Sequence, residues 1–96
     1  MAPGKQTLPQ DELAALIRDL TGWKLEDRQL VRTWTFKDFV AAMAFVNRIA
    51  ELAEQANHHP DIDIRYNKVR LSLVSHDAGG ITSRDAGMAR RIDAIS

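Results

Sequence analysis

The chain has 96 residues, its 13 Lys and Arg balance 13 Asp and Glu, and it contains no cysteine. Balanced charge gives no electrostatic reason to expect nucleic acid or an anionic membrane as the main partner. The lack of cysteine excludes disulfides and thiolate metal sites and fits a reducing compartment. No signal-type stretch or span of ~20 apolar residues is present. We therefore expect one cytoplasmic domain over residues 1–96, with a flexible polar segment at 1–6.

The N-terminal part of the chain predicts a helix followed by a hairpin. Leucine and isoleucine recur at helical spacing within Thr7–Leu20, the first residue of that range suits a cap, and Gly22 is placed to end the helix. Apolar and polar residues then alternate through 23–26 and 30–36. This alternation predicts two antiparallel strands joined by a turn.

The longest apolar periodicity begins at Asp38 and continues to about Asn57. It gives a helix with a broad apolar face, and such a face usually packs on a sheet. Pro60 disfavours helical backbone at the residue before it. We therefore expect this helix to end near Asn57 or His58.

The remaining segments predict a second hairpin and a third helix. Alternation resumes in 62–66 and 69–74, with Asn67 in the tight turn because asparagine tolerates positive φ. Thr82–Asp85 resembles a capping box and opens a helix from about Ser83 to Ile95. The order α-β-β-α-β-β-α predicts an α+β two-layer sandwich, in which three helices pack on one face of a four-stranded antiparallel sheet.

Two adjacent histidines, His58 and His59, stand before Pro60 where the long helix gives way to a strand. Adjacent histidines diverge and lack the spacing of a zinc ligand pair, so no metal site is predicted. Interaction with the helix dipole explains His58 alone, but neither His59 nor His76. Histidine gives and takes protons near neutral pH, which makes general acid–base catalysis the third interpretation.

The predicted hairpin brings the start of its first strand near the end of its second, so all three histidines are expected to converge on one pocket. Glu54 precedes His58 by one helical turn and is placed to orient that ring at the i, i+4 spacing. Asp85 opens the last helix just beyond His76. Three histidines with carboxylates and no metal template favour acid–base chemistry.

Four neighbours of the histidines also have structural interpretations, which the residues leave open. Glu54 suits a solvated helix face, and Asp85 suits the capping partner of Thr82. Arg84 is placed as a surface charge at a helix start. Trp23 suits core or interface packing, or stacking on a flat ligand.

Five motifs in order then resemble the pterin-4a-carbinolamine dehydratase family, and the similarity runs from Trp23 to the last helix. They are Glu54–Pro60 (E-Q-A-N-H-H-P), Tyr66–Val69, Ser75–Asp77, Gly79–Thr82 and Asp85. The mild departure is the serine at 75, where threonine is common. The series as a whole is more specific than its His-His-Pro unit.

The resemblance implies dehydration of 4a-hydroxytetrahydrobiopterin to quinonoid dihydropterin, a step in tetrahydrobiopterin recycling, without metal or cofactor. By motif position it implies His58 and His76 as the acid–base pair and His59 as the residue that binds and orients the pterin. It gives Glu54 and Asp85 the role of setting histidine orientation or charge. The predicted site therefore comprises catalytic His58, His59 and His76, with orienting or substrate-binding Glu54, Asp85, Trp23, Arg84 and Pro60.

The resemblance also implies a homodimer or homotetramer, which suits a small sheet with one face uncovered. The alternative function is a non-catalytic dimerisation, assembly or transcriptional cofactor module with the same fold. Such a module has no need of His58, His59 and His76 together, so their presence favours the enzyme. Action on another pterin, such as one in molybdopterin metabolism, is a third interpretation.

Overall fold

The computed structural model describes residues 6–96, and the prediction for 1–6 lies outside them except at Gln6, which is exposed. The helices and strands follow the predicted order α-β-β-α-β-β-α. They are α1 (Gln10–Asp19), β1 (Lys24–Glu26), β2 (Gln29–Thr35), α2 (Phe39–Ala56), β3 (Asp61–Arg65), β4 (Lys68–Leu73) and α3 (Ser83–Ile95). No helix in this described range is long and apolar enough to cross a membrane.

The four strands form one antiparallel sheet in the order β1-β2-β4-β3. Leu30 on β2 pairs with Leu73 on β4, and Val69 on β4 pairs with Trp34 on β2 and Ile64 on β3. Alternate side chains in each strand therefore point to the same face, because the side-chain period of a strand is two. The predicted sheet is confirmed.

All three helices contribute to one apolar core on that face of the sheet. The sheet gives it four residues with no exposed surface, and each helix adds residues at helical spacing. The core thus holds the ends of α2 and α3 in fixed positions. Its principal members are Leu16 of α1, Leu30 of β2, Phe45 and Ile49 of α2, Val69, Leu71 and Leu73 of β4, and Met88 and Ile92 of α3.

The bounds of α2 follow from residues at its two ends. At the start, the backbone N–H of Ala41 donates to Asp38 Oδ1 at 2.8 Å, which is an N-cap bond. At the end, Asn57 adopts left-handed backbone with φ 49°, a conformation that asparagine tolerates. The predicted helix is confirmed, and the left-handed residue turns the following His58 and His59 out of the helix.

The start of α1 differs from the prediction. Thr7 does not cap the helix; Pro9 occupies the N-cap position without a side-chain bond, and the helix begins at Gln10. The backbone N–H of Leu8 instead donates to the carbonyl of Ile81 at 2.9 Å. This long-range bond holds the segment in extended backbone, which overrides the capping preference of threonine.

Gly22 has a different role from the one predicted. The helix already ends at Asp19, with Leu20 as its C-cap. A Cβ atom at Gly22 would lie 2.5 Å from Cζ of Arg32, far inside van der Waals contact. Glycine therefore makes room at this position for a guanidinium group from β2.

The two hairpin turns use non-glycine residues in left-handed backbone. Asp27 and Arg28 join β1 to β2 with φ values of 53° and 64°, as in a two-residue hairpin turn. In the second hairpin the left-handed residue is Tyr66, with φ 53°, and not Asn67 as predicted. Core pairing fixes the register, and Nδ2 of Asn67 donates to the carbonyl oxygen of Phe36 at 2.7 Å.

Candidate active site

The loop after β4 brings the third histidine's segment against the start of α3. Ser75 and Gly80 form an isolated antiparallel bridge, in which the Ser75 N–H donates to the Gly80 carbonyl at 3.0 Å. The chain then enters α3 at Thr82, whose Oγ1 accepts from the backbone N–H of Arg84 at 3.2 Å. The predicted capping box between Thr82 and Asp85 is confirmed.

A buried carboxylate, Asp85, lies at the centre of the site with no exposed surface. Its Oδ2 accepts hydrogen bonds from the Thr82 backbone N–H and from the Ser75 hydroxyl, both at 2.9 Å. Its Oδ1 accepts from Nε2 of His58 at 2.6 Å. One side chain therefore joins the end of α2, the loop after β4 and the first turn of α3.

The bond to Asp85 defines the chemistry available to His58. The His58 side chain is only 12% exposed. A carboxylate only accepts hydrogen bonds, so Nε2 of the ring carries the hydrogen. The other ring nitrogen, Nδ1, has no hydrogen-bond partner among residues 6–96. It is therefore the atom of His58 that can exchange a proton with a ligand.

Glu54 contacts a different histidine from the one predicted. Its Oε2 accepts from Nε2 of His59 at 2.5 Å, while His58 is held by Asp85. The left-handed turn at Asn57 explains why Glu54 contacts His59 and not His58. His58 no longer follows the helical path that places residues i and i+4 together. The Glu54–His59 pair is exposed, so it orients the ring and adds little stability.

His76 does not line the cleft beside His58 and, within residues 6–96, is linked to the site only by its neighbour in sequence. It is exposed and follows Ser75, whose hydroxyl binds Asp85. Hydrogen bonds within the described part of the chain do not join its ring to His58 or His59. Pro60 is buried where β3 begins, which fixes the backbone just after the histidine pair.

A cleft of about 220 Å³ opens beside His58, between the end of α2 and the first turns of α3. Its wall includes Arg84, Gly87 and Arg91. Arg84 donates from a terminal guanidinium nitrogen to Asp77 Oδ1 at 2.6 Å. The Nε atom of Arg84 is buried and has no partner in the structure. The structure thus brings Arg84 to the edge of the site.

Trp23 lies elsewhere, in the core. Only 2% of it is exposed, and its Nε1 donates to Asp93 Oδ1 at 2.9 Å. Its ring meets Trp34 edge to face at 5.7 Å. Asp93 is eight residues beyond Asp85 in α3, or about 12 Å along the helix. The geometry therefore favours packing, and not stacking on a ligand at the histidines.

Three residues near the histidines were not among the predicted site residues. Ser75 supplies a buried hydroxyl to Asp85, and Gly87 and Arg91 line the cleft. Positions 84, 87 and 91 share one face of a helix, and this spacing was the only available signal for the last two. Among residues 6–96, no group of three or more His, Asp or Glu side chains is placed to hold a metal ion.

Comparison with known proteins agrees with the motif series. A family model described as Pterin 4 alpha carbinolamine dehydratase matches residues 6–95. A protein of Thermomicrobium roseum, described as a candidate pterin-4-alpha-carbinolamine dehydratase, is 58% identical over 80 residues, covering 83% of this chain and 86% of its own. A similarly described protein of Chloroflexus aurantiacus is 51% identical over 88 residues, covering 92% and 95%.

Solved structures show the same fold. A transcriptional coactivator/pterin dehydratase from Brucella melitensis superposes with a TM-score of 0.89 at 36% identity, covering 94% of this chain and 98% of its own. A pterin dehydratase-like protein, identified as a RuBisCO assembly factor in the α-carboxysome, gives 0.66 at 23% identity, over 77% and 88%. This second likeness concerns the fold alone. The chain belongs to the pterin 4 alpha carbinolamine dehydratase family.

Proposed function

We propose that this protein is a hydro-lyase that dehydrates 4a-hydroxytetrahydrobiopterin to quinonoid dihydropterin and water, in support of tetrahydrobiopterin recycling. The observation that carries the proposal is the 2.6 Å bond between His58 Nε2 and the buried carboxylate of Asp85. That bond fixes the ring and leaves Nδ1 for proton transfer. Membership of the family supports a pterin substrate and this reaction.

The reaction needs two proton transfers, one to the substrate and one from it, so that the enzyme gains or loses no net proton. The C4a–O bond breaks, and the hydroxyl leaves as water after it receives a proton from an acid. A base takes a proton from a ring nitrogen, and the electron pair of that N–H bond forms the new double bond to C4a. Histidine suits both tasks near neutral pH.

We assign these tasks to His58 and His76, while His59, oriented by Glu54, binds the pterin. His58 is the better held of the pair, because its ring is fixed by Asp85 and is 12% exposed. His76 is exposed, and we place it on the opposite side of a bound pterin ring. Which of the two gives the proton and which takes it is decided by the pH dependence of the rate in the His58→Ala and His76→Ala variants.

A non-catalytic assembly or transcriptional cofactor module is the second candidate. The Brucella melitensis relative is described as a transcriptional coactivator/pterin dehydratase, and the RuBisCO assembly factor has the same fold. Neither role requires a histidine held by a buried aspartate. The dehydratase is therefore the preferred function.

The experiment measures the rate of 4a-hydroxytetrahydropterin dehydration around neutral pH and compares it with the spontaneous rate. Wild type should accelerate the reaction, and His58→Ala, His59→Ala and His76→Ala should each lose most of that acceleration while they stay folded. Glu51→Ala, an exposed change on α2, is the matched control and should be fully active. A folded wild type without acceleration overturns the dehydratase and favours the assembly module.

We also infer that the chain, as a single domain, forms a homodimer or homotetramer. Phe39 and Val40 at the start of α2 are 48% and 76% exposed, although both are large and apolar. Exposed apolar side chains of this kind favour a protein partner. Light scattering should give a mass of two or four chains; a monomer at all concentrations contradicts the inference. The cytoplasmic location stays a prediction.

A further inference from the structure

The cleft beside His58 has a wall built from one face of α3. Arg84, Gly87 and Arg91 are three and four residues apart, so their side-chain positions lie above one another on the helix. His58 lines the same cleft from the other side. A ligand that meets the ring of His58 can therefore extend a substituent along this face.

The cleft carries positive charge that the protein does not fully neutralise. Arg84 is paired with Asp77, and among the described residues the exposed side chain of Arg91 donates only to the neutral amide oxygen of Gln55, at 3.3 Å. Within residues 6–96, no carboxylate forms an ion pair with Arg91. The remaining guanidinium donors of Arg91 form no hydrogen bond within residues 6–96, and the buried Nε of Arg84 has no acceptor among the same residues.

The size of the cleft indicates a group and not a whole ligand. Its volume of about 220 Å³ is below the roughly 300–1,000 Å³ typical of pockets that enclose a drug-sized molecule. At Gly87 an added Cβ would meet no atom within 4 Å, so the absence of a side chain leaves this part of the wall open. The space suits a compact substituent of a ligand bound at the histidines.

We propose that this cleft binds an anionic group, a phosphate or a carboxylate, on the side chain of the pterin whose ring lies at the histidines. Arg91 is the main ligand of that group and Arg84 the second. Guanidinium groups match both anions, because their planar donors form paired charge-assisted hydrogen bonds. The inference rests on the proposed function, since it places the pterin ring beside His58.

Equilibrium binding tests the proposal without turnover. Three 6-substituted pterins are compared by fluorescence titration: one with a hydroxylated side chain, one with the same side chain ending in a phosphate ester, and one ending in a carboxylate. Wild type should bind at least one anionic pterin about tenfold more tightly than the neutral one, the low end of the effect of a charge-assisted hydrogen bond. Arg91→Gln should remove most of this preference, whereas Arg90→Gln, an exposed change outside the cleft, should keep it.

A second pair of variants tests the space in the cleft without removing charge. Gly87→Leu should fill the space and reduce binding of the preferred anionic pterin to that of the neutral one, while Gly87→Ala should leave the preference largely intact. Equal affinities for all three pterins in wild type, or an unchanged preference in Arg91→Gln, overturn the proposal.

The dehydration assay separates this inference from the proposed function. Acceleration with the neutral pterin, without any anionic preference in binding, overturns the subsite and leaves the dehydratase in place. Anionic preference without acceleration overturns the dehydratase and leaves the subsite. Failure to bind any of the three pterins overturns the subsite, and the dehydration rate alone then decides whether the dehydratase stands.

Discussion

Replacing Asp85 by alanine is the sharpest test of the site, because one buried carboxylate serves three donors. The donors are the Thr82 backbone N–H, the Ser75 hydroxyl and Nε2 of His58. Alanine removes all three acceptor contacts at once. The expected result is a large loss of stability together with loss of the fixed orientation of His58.

The expected loss of stability follows from whether each hydrogen-bond donor finds another acceptor once Asp85 is replaced by alanine. The Ser75 hydroxyl keeps a partner in Thr82 Oγ1, 2.8 Å away, so its cost is small. The Thr82 N–H loses its buried acceptor, at about 1–3 kcal/mol, and the charge-assisted bond to His58 contributes about 1.5–3 kcal/mol. We therefore expect the free energy of unfolding to fall by about 2.5–6 kcal/mol, against a total of roughly 5–15 kcal/mol for a typical domain.

Urea unfolding measures this change, with the midpoint and slope compared between wild type and Asp85→Ala. Thermal unfolding should show a midpoint lower by at least ~10 °C, since each kcal/mol moves a domain of this size by about 4–8 °C. The matched control is Asp63→Ala, whose exposed pair with Arg65 should be worth less than about 1 kcal/mol. A loss in Asp85→Ala no greater than in this control would refute the reasoning.

Asp85→Asn separates stability from chemistry. Its amide oxygen can still accept from Ser75 and Thr82, but its NH₂ group then faces His58 Nε2, which must become an acceptor. The ring hydrogen moves to Nδ1, the atom proposed for proton exchange. We expect this variant to recover most of the stability lost in Asp85→Ala while its dehydration rate stays low; full activity would contradict the assigned tautomer.

Three further changes are each measured by urea unfolding. Asp38→Ala should cost about 1 kcal/mol, because it removes the N-cap acceptor of α2; an unchanged midpoint would contradict the cap. Gly22→Ala should cost up to about 1 kcal/mol by displacing the half-exposed guanidinium of Arg32 from its ion pair, and the cost should vanish in an Arg32→Ala background. Gly87→Ala should raise the free energy of unfolding by about 0.5–1 kcal/mol, since glycine is a poor helix former and the added methyl meets open space. Destabilisation by this change would contradict the open space beside Gly87.

Local sequence signals were sufficient where the residues themselves form the boundary. Asp38 caps α2, and Pro60 follows the point where that helix ends, so both limits were predicted. Thr7 failed as a cap because the next residue hydrogen-bonds to Ile81, far along the chain. A single-sequence pattern carries no information about that bond, and tertiary contacts of this kind override propensity.

At the site, too, local contacts could be predicted from the sequence and long-range contacts could not. Thr82 and Asp85 were recognisable as a capping box because their spacing is local. The contact between Asp85 and His58 joins residues 27 positions apart, so only the folded chain defines it. The predicted partner of His58 was Glu54, and one left-handed residue, Asn57, was enough to move that carboxylate to His59 instead.

The backbone amide of Thr82 gives the site a natural spectroscopic reporter. Its hydrogen is buried and bonded to the same carboxylate that holds His58, so it exchanges with solvent only when that contact opens. A ligand that binds the closed site should slow the exchange of this one amide in proportion to its occupancy. Hydrogen–deuterium exchange at a single residue can therefore follow ligand binding at the site without any substrate turnover.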